Sequence, residues 1–98
     1  MFKNKNINGK NNLCGEKISE LRESMVPKCS QKQLADKLQL IGLDLDKNAI
    51  QRIECGKRFV TDVEIICFCK VFGITPNTLL DFTEYFDNWL LHLKFNYW

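Results

Sequence analysis

Apolar residues recur at three- and four-residue intervals along most of the chain, the spacing of helices that each bury one face. Ile18, Leu21 and Met25 predict a first helix over about residues 16–25, closed before Pro27 because the residue preceding a proline avoids helical angles. Ser30 followed by Gln33 is a capping-box pattern, so a second helix should start at Gln31 and turn Leu34, Ala35 and Leu38 inward. Asp46 can cap a third helix over residues 46–55, with Ile50 and Ile53 as its inward stripe and Gly56 as its stop. Thr61 and Glu64 form another capping box, opening a fourth helix through Phe72 with Ile65, Phe68, Cys69 and Phe72 inward and Gly73 at its end. Thr75 caps a fifth helix with Pro76 at its first position and Leu79 and Leu80 turned inward.

Three stretches depart from this regularity. Residues 1–13 are rich in Asn and Lys without periodicity and are expected to form a flexible arm, either functionless or a basic strap for phosphates or a minor groove. Residues 39–45 place Leu40, Ile41, Leu43 and Leu45 around Gly42, which predicts an apolar plug packed under the turn, with a protein-binding patch as the alternative. Beyond the fifth helix, Phe82, Phe86, Trp89 and Leu93 recur at helical spacing and predict a helical extension over residues 83–98. That extension either covers the core of the domain or pairs two copies, and the amount of aromatic surface favours pairing. The expected architecture is therefore all-α: a compact five-helix domain over residues 14–82, a basic arm before it and an aromatic helical extension after it.

The third helix is where chemistry gathers. Lys47, Asn48, Gln51 and Arg52 cover the face opposite Ile50 and Ile53. Asn and Gln can bond an adenine edge at two points, and Lys and Arg can reach the guanine acceptors, so such a face suits a DNA major groove. The segments SQKQLADKL, AIQRIECGKR and FGITPNTLL, in that order, resemble the phage-repressor and Cro-like helix-turn-helix proteins, the XRE family, over about residues 15–80. The chain departs from compact members of that family by about five extra residues between the second and third helices, as in a longer-turn subgroup.

The resemblance implies a site. Lys47, Asn48 and Arg52 match the base-facing positions, and Gln51 reads a base or a phosphate. Gln31, at the first turn of the second helix, would anchor the DNA backbone. Lys32 is the cation of that helix nearer the DNA side, Lys37 a solvated one, and Lys57 and Arg58 would contact phosphates. Arg22 and Glu54 match an ion pair that sets the angle between the first and third helices, although a surface role for Arg22 is an equal alternative.

Composition changes this picture little. The net charge of +2 proves nothing about partners, but its distribution is uneven: residues 1–13 carry Lys3, Lys5 and Lys10 and no acid, while residues 81–98 carry Asp81, Glu84 and Asp87 against Lys94. The five cysteines form no C-x-x-C pair, so free thiols in a reducing cytoplasm are expected, with no zinc or other metal and no cofactor. No secretory signal or membrane span is apparent. His92, the one histidine, has no nucleophile matched to it, which speaks against an enzyme. The leading expectation is a sequence-specific regulator of transcription, a repressor in the usual case. It would bind double-stranded DNA as a homodimer through the C-terminal region, on half-sites about 34 Å apart. Two others remain: an antitoxin-like module that binds a toxic protein partner and its own promoter, and a protein-interaction domain without a DNA face.

Overall fold

The structure, a computed structural model, describes residues 9–81. The elements among them are all α-helices: α1 (Gly15–Glu23), α2 (Gln31–Leu40), α3 (Lys47–Glu54), α4 (Asp62–Phe72) and the single turn α5 (Pro76–Leu79). The aromatic extension expected beyond residue 82, with the pairing of copies assigned to it and His92, lies outside the described residues, as do Lys3 and Lys5. No described helix is long and apolar enough to cross a membrane.

Short side chains set the helix starts by satisfying backbone N–H groups that have no partner inside the helix. Ser30 Oγ accepts from Gln33 N at 3.1 Å while Gln33 Oε1 accepts from Ser30 N at 2.8 Å. The same reciprocal pair joins Thr61 and Glu64 at the start of α4. Asp46 Oδ1 accepts from Ala49 N at 2.8 Å to open α3, and Thr75 opens α5. Gly73 ends α4 with φ +68°, a left-handed value that glycine adopts without a Cβ penalty. α1 begins one residue earlier than expected and stops two residues short of Met25. Ser24 Oγ donates to the Glu20 and Leu21 carbonyls and closes the last turn.

The core is one cluster to which every helix contributes. Ile18, Leu34, Leu38, Ile50, Ile53 and Phe68 are each fully buried, and Leu21, Met25, Phe72 and Leu80 pack around them half-buried. α3 packs against both α1 and α2, and α4 lies against α1, α2 and α5. An eight-residue helix is marginal alone, so two isoleucines set into this cluster are what keep α3 in place. Phe68 and Phe72 stack at 6.4 Å between ring centroids.

The apolar insert packs only in part, which corrects the expectation of a four-residue plug. Leu45 is buried and Leu43 half-buried, but Leu40 is 87% exposed and Ile41 44% exposed. α2 extends through Leu40, and two residues past Leu38 is about 200° around the helix, away from the inward stripe. Ile41 caps the helix and Gly42 reverses the chain at φ +94°, so only Leu43 and Leu45 come back to the core.

Candidate nucleic-acid interface

α3 presents two unlike faces. Ile50 and Ile53 are fully buried, whereas Lys47, Asn48, Gln51 and Arg52 are all exposed. Spacings of one, four and five residues put these four side chains on one side of a helix. Among the described residues none of the four engages a hydrogen-bonding or charged partner through its side chain. The face can offer amide and cationic donors to an external array of acceptors.

An ion pair and an amide hold the C-terminal end of α3. Arg22, from the last turn of α1, donates from Nε to Glu54 Oε2 at 2.8 Å and from Nη2 to Glu54 Oε1 at 2.9 Å. Its Nη1 donates to the Cys29 carbonyl at 3.0 Å, so one guanidinium ties α1, α3 and the segment before α2. The hydrogen-bonded carboxylate of Glu54 raises the Arg22 pKa further, against the effect of burial. Gln31 Nε2 donates to Glu54 Oε1 at 3.0 Å. One of the two N–H donors of the Gln31 amide is thus engaged inside the protein, and the residue is half-buried.

A shallow, open cleft runs between the starts of α2 and α3, lined by Lys28, Lys32 and Lys47 together with Ser30, Gln31 and Gln33. Lys32 also pairs across one helical turn with Asp36 at 3.4 Å, a contact of surface strength. Lys28 was not a candidate in the sequence. It precedes the α2 cap without any pattern of its own, and only the approach of α3 makes it part of a basic rim.

The loop after α3 separates two residues that the sequence groups together. Lys57 is exposed, with no side-chain partner among the described residues. Arg58 instead donates from Nη1 to Glu64 Oε1 at 2.9 Å and from Nη2 to Glu64 Oε2 at 3.0 Å, and Nη1 also reaches the Phe59 carbonyl at 3.0 Å. Glu64, already the capping partner of Thr61, is buried, and the Arg58 guanidinium holds its carboxyl below the usual carboxylate range against the effect of burial. A cation so engaged is a brace for the loop before it is a donor to anything outside.

Asn11 and Asn12, expected within a flexible arm, are bonded to this same loop and to the end of α3. Asn11 N donates to the Gly56 carbonyl at 2.8 Å and Asn11 Nδ2 to the Lys57 carbonyl at 3.0 Å. Asn12 Nδ2 donates to the carbonyls of Ile53 at 3.0 Å and Arg58 at 2.8 Å, while its Oδ1 accepts from Gly15 N at 2.8 Å. Lys10 pairs with Glu16. A faint signal was available for one of these bonds, since an Asn three residues before an unpaired N–H is at capping distance from it. Nothing local pointed to the four bonds that Asn11 and Asn12 make to residues 53–58.

The five cysteines are free thiols, and Cys14, Cys29 and Cys69 belong to the core. Burial pushes the Cys14 thiol up to about 11, which keeps it protonated and inert at neutral pH. Comparison with protein-family models, with curated proteins and with solved structures finds no match to this chain.

Proposed function

We propose that this chain is a sequence-specific DNA-binding regulator of transcription, a repressor of the phage-repressor and Cro-like type. In this reading α2 and α3 form a helix-turn-helix with a lengthened turn, and α3 enters the major groove. Lys47, Asn48, Gln51 and Arg52 read base edges, the cleft lined by Lys28, Lys32 and Lys47 lies along the phosphates, and Lys57 contacts the backbone beyond the helix. The protein acts in the cytoplasm as a homodimer on a two-fold operator, with half-sites about 34 Å apart. The observation that carries the reading is the division of α3: two isoleucines fully buried, and four donor side chains exposed and uncommitted among the described residues.

Selection of bound duplexes from a random pool tests it. A palindromic consensus should emerge, with affinity falling steeply as salt rises. Arg52→Ala should weaken binding to that consensus by about 1–3 kcal/mol and relax the choice at one base position. A pool that shows no enrichment, at low salt as well as high, would sink the reading.

One observation favours a second role beside the first. Leu40 and Ile41 stand outward on the turn between α2 and α3, as a protein-binding patch would. An antitoxin-like module uses such a patch to hold its partner, and a proteinaceous toxin that co-purifies with the chain would identify it.

A further inference from the structure

Two asparagines upstream of α1 take up most of the carbonyl groups where α3 ends. Ile53 O, Gly56 O, Lys57 O and Arg58 O all accept from Asn11 or Asn12. On the other side of the same backbone, Lys57 N and Arg58 N both donate to Arg52 O, at 2.9 and 3.3 Å. The segment 53–58 is therefore tied from two directions. The fit around it is close: a Cβ on Gly15 would lie 2.1 Å from Ile53 O, and one on Gly56, where φ is +80°, would lie 2.8 Å from the Lys10 side chain. Only glycine lets the start of α1 approach the end of α3 so nearly, and Asn12 spans the gap, accepting on the α1 side and donating on the α3 side. Asn11 Oδ1 is buried without a hydrogen-bond partner among the described residues. An amide kept at that cost is kept for its N–H donors.

From this geometry we infer that Asn11 and Asn12 are positioning residues for DNA recognition. They clamp the end of α3 and the loop behind it, and so set the direction in which Lys57 and the reading face of α3 meet the duplex. They touch no DNA themselves. The inference rests on the DNA-binding reading for its consequence, but the clamp has a readout of its own in the free protein.

The test uses Asn12→Ala, Asn12→Asp and Asn11→Ala in the full chain. Asn12→Asp keeps the oxygen that accepts from Gly15 N and replaces both donated bonds with an oxygen facing two carbonyls, so it separates the clamp from the cap. Amide hydrogen exchange at Lys57 and Arg58 should speed up about tenfold or more in both Asn12 variants and less in Asn11→Ala. Affinity for the selected duplex should fall by about tenfold in the Asn12 variants, more than on mismatched sites because the reading face is misdirected, with a shallower salt dependence. If Asn12→Ala fails to fold, Asn11→Ala, which gives up one side-chain bond, carries the same comparison at smaller size. Wild-type exchange and affinity in Asn12→Asp and Asn11→Ala would overturn the inference. Failure of the wild-type chain to bind any duplex would instead remove the functional reading, and the exchange data alone would then judge the clamp.

Discussion

Two arginine–glutamate pairs flank the end of α3, alike in geometry and different in what they do. Arg22 and Glu54 meet at 2.8 Å with side chains 10% and 7% exposed; Arg58 and Glu64 meet at 2.9 Å with side chains 28% and 9% exposed. The first joins three segments far apart in the chain, and it carries Gln31 and the Cys29 carbonyl with it. The second joins residues six apart and braces the start of α4. In the first pair neither charge has much water to fall back on, and Arg22 has beside Glu54 only the more distant Glu23, at 3.7 Å, as a charged partner among the described residues; in the second, the arginine keeps some of its hydration. The lesson is that distance does not rank ion pairs. What ranks them is the state each partner is left in when the other is removed.

The largest effect should follow from breaking the buried pair at one end. Glu54→Ala leaves the buried Arg22 with the Cys29 carbonyl and the more distant Glu23, at 3.7 Å, and should lower stability by about 3–5 kcal/mol, read from urea midpoints at constant slope. Replacing both partners by apolar residues, Arg22→Met with Glu54→Leu, should recover most of that loss. A double variant as unstable as the single one would mean that the pair contributes attraction well beyond its desolvation cost.

Arg58→Ala should cost less, about 1–3 kcal/mol, because the Glu64 it leaves behind, though buried, keeps the Thr61 N–H at 2.9 Å. Equal losses for Glu54→Ala and Arg58→Ala would break this ranking. The second pair should also show in the pH profile. Glu64 has a folded pKa below its ordinary value of 4.5, so its contribution is complete above that value and is lost as pH falls through the lower folded one. Stability should therefore decline on acidification below about pH 4.5, and Glu64→Gln should flatten that decline. An unchanged acid limb in Glu64→Gln would exclude this carboxylate as its source.

Lys57→Ala is the smallest expected change in stability, within about 0.5 kcal/mol, since the side chain is exposed. Its effect belongs to binding: a uniform loss over all duplexes and a salt slope reduced by about 0.9. The neighbours should thus divide, Arg58 acting on folding and Lys57 on DNA. If Arg58→Ala reduces the salt slope as much as Lys57→Ala at unchanged stability, the assignment is reversed.

The polar stretch at residues 10–12 and the apolar stretch at residues 39–45 mark the limits of reading by composition. Asn and Lys without periodicity predict an unattached arm, yet Asn11 and Asn12 are bonded to the far end of α3. Four apolar residues around a glycine predict a plug, yet Leu40 and Ile41 face outward. Both expectations weighed a residue's preference for water and left out its connectivity. Leu40 is outward because α2 carries it there, and Asn12 is inward because the α1–α3 approach supplies acceptors for it.

The helices and their inward faces were settled in the chain itself, because caps and stripes act over three or four residues. Ser30 with Gln33, Asp46 with Ala49 and Thr61 with Glu64 bond within three residues, and Gly73 takes its left-handed turn on the spot. The division of α3 into a buried and an exposed face was equally local, being a matter of helical period. Only the packed molecule decided which polar groups are free. One donor of Gln31 goes to Glu54 and the Arg58 guanidinium to Glu64, Lys28 is brought to a basic rim, and Asn12 bonds carbonyls 41 and 46 residues away. A hydrogen bond of that reach depends on where two helix ends meet, and no window of sequence contains both.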